Sequence, residues 1–337
     1  MEQTLKINNL FRYATSELSQ DAFICWLISH TTAPGWDEEP QIRECAIVLL
    51  NKILQVHGRH WTNNMRVSKI HKQYKNIDVL VQIDDIYIVI EDKTFTGTHD
   101  DQINRYKKIL VDEGIAPQNI ICVYYKIEEQ PFPESDVDFE FTRDILLDIF
   151  RPYKNIIINP IFSDYLDYLE WIEFEINSYQ RLPISEWSYR SYVGFFKHLS
   201  NTILKSERKS WGYVSNPTGG FMGLWWFDIL SSDDLTVIGL DEQCADELYL
   251  QIENNIIAVK YTVNPKKNPD TNKVTAIRWK LYDYFRQQLG DAFQKKSFRP
   301  GNFMTVGYVK YDETNYIEKL TDMKKALLGL LTNGCLI

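Results

Sequence analysis

Apolar positions recur at helical spacing over residues 16–30, where Ser16 is placed to cap and Leu18, Ala22, Cys25, Trp26 and Ser29 fall on one stripe. A second helix is predicted over 40–57, with Pro40 at its start and Ile47, Leu50 and Leu54 along one face. A short strand is expected near 64–70. Residues 76–93 then switch to a period of two and make the clearest hairpin in the chain. A helix at 100–111 and a strand near 119–126 complete an α-α-β-β-β-α-β order, which predicts an α/β core with mixed strand pairing.

Further along, 161–178 and 186–206 read as helices, with Pro183 between them. From 211 onward the spacing becomes strand-like: 211–215, 221–230, 235–240, 248–253 and 256–263 are candidate strands, with Asn254-Asn255 as a two-residue turn. A helix at about 273–290, a strand at 302–311 and a helix at 315–331 follow. The change of pattern near 180–185 predicts two domains, an α/β domain over 1–180 and an α+β domain over 181–337.

Composition changes this picture little. The net charge of −9 argues against a protein that coats nucleic acid non-specifically, but not against a local basic groove, because charge acts over roughly 8–10 Å in salt. Cys25, Cys45, Cys122, Cys244 and Cys335 lie far apart with no C-x-x-C, which speaks against a disulfide framework or a structural zinc site. The start Met1-Glu2-Gln3-Thr4 lacks the pattern of a signal peptide, and no run reaches the ~18 apolar residues of a membrane helix. A cytoplasmic protein without membrane contact is expected.

The hairpin carries the candidate chemistry. With Asp84-Asp85 as its turn, cross-strand partners sum to 169, so Ile83 faces Ile86, Gln82 faces Tyr87 and Asp78 faces Glu91. Ile77, Val79, Val81, Ile83, Ile86, Ile88 and Ile90 share one face; Asp78, Leu80, Gln82, Tyr87, Val89, Glu91 and Lys93 share the other. Asp78, Glu91 and Lys93 therefore emerge together at one end. Carboxylates directly opposite each other repel, so a chain selected only to fold would not place them there. A divalent cation between them removes the penalty. Magnesium suits the arrangement, because it takes one or two carboxylates and keeps several waters. The competing structural reading is a solvated polar face on an edge hairpin. Leu80 and Val89 on that same face count against it.

Asp78, a gap of twelve residues, then Glu91-Asp92-Lys93 resembles the PD-(D/E)XK nuclease superfamily. Ile77 stands where the motif's name has a proline, a position weakly held in the superfamily. The resemblance covers roughly residues 10–130. It implies a PD-(D/E)XK nuclease-like fold and hydrolysis of phosphodiester bonds, in DNA, with Mg2+ or Mn2+. Asp78 and Glu91 are the implied metal ligands, the Asp92 carbonyl a further one, and Lys93 the assisting cation. Gln102 and Tyr106, at i and i+4, are similar to the Q-x-x-x-Y element of RecB-like members, where these residues hold the active site and the nucleic-acid backbone. Relatives often add one acidic ligand from a helix before the sheet. Glu17 is the better candidate here, with Asp21 on the same face.

Arg105, Lys107 and Lys108 on the Gln102 helix, which Asp100 is placed to cap, are candidate phosphate contacts; so is Lys72, with Arg66, Lys69 and Lys75 as a basic rim. His99 is a weaker candidate for a contact near the site. In the second half, residues 260–299 hold ten Lys or Arg against three Asp, a local charge of +7, and Trp211, Phe221, Trp225 and Trp226 are candidates for stacking on bases or for a core. The partners implied are nucleic acid, a second copy of the chain, or a protein of bacterial phage defence or DNA repair. Two other readings stay open: a nuclease-fold module that binds without cutting, and a metal-dependent hydrolase of another phosphate compound.

Overall fold

The structure is a computed structural model and describes residues 4–93, 101–216, 219–226, 230, 232–238, 240, 247–263, 271–298 and 301–332. Internal contacts divide the chain into two units, Met1–Glu175 and Ile176–Ile337.

The first unit is a mixed sheet between helices. Its strands are β1 (Val67–Tyr74), β2 (Ile77–Ile83), β3 (Ile86–Lys93), β4 (Ile120–Lys126) and β5 (Phe139–Thr142), in the order β1-β2-β3-β4-β5. The first three form an antiparallel meander; β4 runs parallel to β3, and β5 parallel to β4. The hairpin register is the expected one, with Ile83 opposite Ile86 and Val79 opposite Ile90. Asp84 takes a left-handed conformation in the β2–β3 turn, which an aspartate tolerates. Lys75 and Asn76 both have positive φ in the β1–β2 turn, the signature of a type I′ hairpin.

Both faces of this sheet are covered. Helix α1 (Glu17–Ser29) meets β1, β2 and β3, and α2 (Pro40–Gln55) meets β4, on the side of the buried Val79, Val81, Ile88 and Ile90. On the other side α3 (Gln102–Asp112) lays Ile103, Tyr106 and Leu110 against Leu80, Val89 and Cys122. Ile77, expected on the first side, joins this second cluster. The helix expected from 100 begins at Gln102 with Asp101 before it, and Asp100 and His99 lie outside the described residues. Helices α4 (Arg143–Phe150), which follows β5, and α5 (Pro160–Ile176) complete the unit. Neither β5 nor α4 was anticipated.

One expectation about α1 fails in an informative way. Its buried side chains are Gln20, Asp21, Phe23, Ile24, Leu27 and Ile28, whereas Leu18 on the predicted stripe is exposed. The helix is apolar on more than one side, so helical spacing alone does not select the packed face. The packed face is the one that brings Gln20 and Asp21 to the sheet.

The second unit begins with α6 (Tyr189–Asn201), where Ser188 and Ser191 close a capping box. Strands β6 (Lys209–Asn216), β7 (Gly219–Trp226), β8 (Glu247–Glu253), β9 (Ile256–Thr262) and β10 (Phe303–Lys310) form an antiparallel sheet in the order β10-β9-β8-β7-β6. Residues 235–240, expected as a strand, instead belong largely to a short helix α7 (Ser232–Val237); Asp233 and Asp234 in its first turn suit the positive end of a helix. Helices α8 (Thr271–Leu289) and α9 (Tyr316–Thr332) pack on the core with α6. Among the described residues no helix is long and apolar enough to cross a membrane.

Ile103 is buried where α3 meets the sheet. Ile103→Ala is expected to lower unfolding free energy by about 2–4 kcal/mol with an unchanged denaturant slope. A loss well under 1 kcal/mol in urea titration would contradict this packing of α3.

Candidate active site

The β2–β3 ladder runs to Val79 and Ile90, and the next residue on each strand is Asp78 and Glu91. Because β4 and β5 run parallel to β3, this end is also the carboxyl end of the parallel strands, where open α/β sheets present their ligand sites. Asp78 is half-buried; Glu91 and Asp92 are fully buried, and the Lys93 side chain is 11% exposed.

The hydrogen bonds hold this cluster from several elements. Lys93 Nζ lies 2.5 Å from Glu91 Oε1, and Gln102 Nε2, at the start of α3, donates to the same oxygen at 2.6 Å. Gln102 also contacts the Tyr106 hydroxyl at 2.5 Å, and that hydroxyl donates to the Asn76 carbonyl at 2.6 Å in the β1–β2 turn. Asp78 Oδ2 accepts from the Asp92 backbone N–H at 3.1 Å, and Asp78 Oδ1 accepts from Gln73 Nε2 at 3.0 Å. Gln73 lies in β1 with φ of 58°, and its amide also reaches Asp21 Oδ2 at 3.3 Å. A left-handed glutamine inside a strand is strained, and here it links the α1 carboxylate to the β2 carboxylate.

Asp92 projects to the opposite side of β3. Its Oδ1 accepts from Gln20 Nε2 of α1; Gln20 Oε1 accepts from the Tyr165 hydroxyl at 3.2 Å, which in turn shares a hydrogen bond with Tyr125 at 2.9 Å.

Three buried carboxylate oxygens have no hydrogen-bond partner: Glu91 Oε2, Asp92 Oδ2 and Asp21 Oδ1. Burial pushes Glu91 up to about 7; Lys93 opposes the shift and the neighbouring Asp78 carboxylate adds to it. Burial likewise raises Asp21 to about 6, with Asp78 adding to it, and holds Asp92 well above the usual carboxylate range. Burial works against the Lys93 ammonium, but Glu91, Asp78 and Glu17 outweigh it, so the net shift is upward and the group stays charged. Lys126, in register beside Lys93 on β4, is buried and pulled down by desolvation.

These residues fit a small hard cation. Oxygen donors converge, part of their capacity is unused, and their negative charge is under-compensated where it is buried. Among the described residues no set of three or more His, Cys, Asp or Glu side chains forms a closed cage. The donor set is of the open kind, two carboxylates with room for water.

The other expected residues are dispersed. Glu17 is the first residue of α1 and acts on Asp21, Asp92 and Lys93 through its charge, while Asp21 lies deeper and is bridged to Asp78. Tyr106, expected to touch nucleic acid, is buried, and its hydroxyl braces the β1–β2 turn. Arg105 is exposed on α3. Lys72 donates to the Leu18 carbonyl at 2.8 Å, Lys75 pairs with Glu113 at 2.5 Å, and Arg66 lies over the Trp36 ring. The basic rim is thus largely engaged within the chain. Gln20 and Gln73 were not anticipated. Gln20 was within reach of sequence reasoning, three residues after Glu17 on the same helix, but no local pattern marks Gln73.

A mixed sheet with paired carboxylates and a lysine at the end of its central hairpin defines a metal-nuclease type of site. The family model of the PD-(D/E)XK nuclease superfamily matches residues 10–194, more than half of the chain, and the chain belongs to that superfamily. The match extends beyond the 10–130 first expected. No curated protein and no solved structure matches the chain. Membership suggests nuclease activity, and nucleases of this superfamily generally use divalent metal ions.

Glu91 and Asp21 bind protons in the folded chain up to about 7 and about 6, against ordinary values of 4.5 and 3.8. Their contribution to stability is therefore complete below about pH 4 and is lost as pH rises through 6 and 7. In chelator, Glu91→Gln should gain stability relative to the wild type between pH 5 and pH 8, read from urea midpoints. Parallel pH profiles for the two proteins would contradict the assigned burial of Glu91.

Proposed function

We propose that the chain is a divalent-metal-dependent nuclease that hydrolyses phosphodiester bonds in DNA. The observation that carries this reading is the convergence of Asp78 and Glu91 with the Lys93 ammonium, beside buried carboxylate oxygens that have no partner. Asp78 and Glu91 would hold Mg2+, or Mn2+ in its place, together with the Asp92 carbonyl and with Asp21 or Glu17 of α1 as the outlying acidic group. The cation supplies Lewis-acid chemistry, activating water and offsetting charge on a phosphoryl oxygen.

The protein's own part is positioning and charge. Water adds to phosphorus and one P–O ester bond breaks, leaving a phosphate monoester on one fragment and a hydroxyl on the other. Lys93 stays an ammonium, so it donates hydrogen bonds to an oxygen that gains negative charge and does not act as a base. Gln102 fixes Glu91, Tyr106 ties α3 to the β1–β2 turn, and Gln73 orients Asp78. Arg105, exposed on α3, and Lys72 beside α1 are placed to meet the phosphate backbone. A bacterial role in phage defence or DNA repair accords with this activity.

Plasmid and single-stranded DNA incubated with Mg2+ or Mn2+ should be cut, and chelator should stop the cutting. Asp78→Ala and Lys93→Ala should each lower the rate by about a hundredfold or more while DNA binding persists. DNA binding by the wild type with no cleavage under either metal would favour the binding module instead.

A further inference from the structure

The two faces of the second sheet are built differently. One face packs into the core through Leu224, Leu250, Ile252 and Val259. The other holds a cavity of about 600 Å3, within the range of small-molecule sites. Tyr249, Gln251 and Glu253 of β8, Lys260 of β9 and Thr305 of β10 line it, and each is more than nine-tenths buried.

These groups form one polar network. Lys260 Nζ lies 3.2 Å from Glu253 Oε1 and donates to Thr305 Oγ1 at 3.1 Å; Gln251 Nε2 donates to Glu253 Oε1 at 3.1 Å. Lys296 Nζ, on a half-exposed side chain, reaches Glu253 Oε2 at 3.2 Å. Arg278 enters from α8, donates from Nε to the Thr305 carbonyl at 3.0 Å and lies 4.0 Å over the Phe298 ring. Among the lining residues, Lys260, Arg278 and Lys296 face the single carboxylate of Glu253. Burial lowers Arg278 to about 10, which leaves it charged at neutral pH. An enclosed excess of positive charge, in a chain of net charge −9, is stabilised by an anionic ligand.

The walls are aromatic. Phe221 and Trp225 of β7 are half-buried against the cavity, and Phe303 stands 69% exposed at its edge. Gly212 and Gly223 are partners across β6 and β7 on this same face. A Cβ on Gly212 would lie 3.4 Å from Trp225 Cη2, and one on Gly223 3.4 Å from Phe221 Cε2 and 3.6 Å from Gln251 Nε2. The glycine pair leaves room for the indole and the amide to lie along the sheet.

We propose that this cavity binds a nucleotide. Its base rests against Trp225 and Phe221, Gln251 and Tyr249 meet the base edge, and the phosphate is taken by Lys296 with Lys260 and Arg278 behind it. A flat aromatic wall, an amide and clustered cations match a base joined to a phosphate better than either part alone. The ligand is a free nucleotide or one nucleotide of a single strand. The site is separate from the carboxylate cluster and does not depend on the nuclease reading.

The test is equilibrium binding to the full chain in chelator, so that no strand is cut. Probes are the ribo- and deoxyribonucleoside 5′-monophosphates, a short single-stranded oligonucleotide and inorganic phosphate, followed by calorimetry. At least one nucleotide, or the oligonucleotide, should bind saturably, with Lys296→Glu and Trp225→Leu each weakening it about tenfold or more. Mononucleotide binding identifies the free ligand; binding of the strand alone, with the same sensitivity to both variants, identifies a nucleotide within it. No binding by either probe, binding that ignores both variants, or phosphate competing as well as the nucleotide would overturn the proposal. Lys296 is half-exposed, so Lys296→Glu carries the test if Trp225→Leu fails to fold, with melting curves as the check.

Discussion

Two carboxylates held next to each other on neighbouring strands, where water is largely excluded, must either share protons or share a cation. Asp78 and Glu91 stand one step beyond the last pair of the β2–β3 ladder, and the buried one is driven toward its protonated form. Much of the surrounding structure can be read as a response. Lys93 lies on Glu91, Gln102 donates to the same oxygen, and the Asp92 N–H and Gln73 amide satisfy Asp78. Each partner offsets part of the charge, yet one Glu91 oxygen remains unpaired, and that residual capacity is what a metal would use.

The end of β3 works on both sides at once. Glu91 and Lys93 face α3, whose Gln102 and Tyr106 connect them to the β1–β2 turn; Asp92 faces α1 and α5 through Gln20 and Tyr165. Three consecutive residues thus tie together helices from both layers of the unit. A shift of any of these helices would be felt by the carboxylate pair, which explains why so many polar side chains are buried around a single strand end.

The hairpin was legible because period-two alternation is steep there and a two-residue turn fixes its register. The same logic sorts the aromatics of the second unit once the strands are known: Trp211 and Trp226 lie in the core, while Phe221 and Trp225 lie on the cavity face. Sequence alone offered no way to assign them, since strand limits one residue apart exchange the faces. Helix α1 was read on the wrong side because Leu18 and Trp26 make as good a stripe as Phe23 and Leu27. That error favoured Glu17 over the deeper Asp21. Gln73 was beyond reach for another reason: its role depends on a left-handed backbone that its residue type does not signal.

The cation is the element on which the chemistry turns, and manganese makes it directly visible. Anomalous scattering from crystals soaked in Mn2+ near pH 8 should give a peak between the Asp78 and Glu91 carboxylates, with Lys93 Nζ displaced from Glu91 Oε1. An undisturbed Lys93–Glu91 pair with manganese bound elsewhere, or nowhere, would contradict the account.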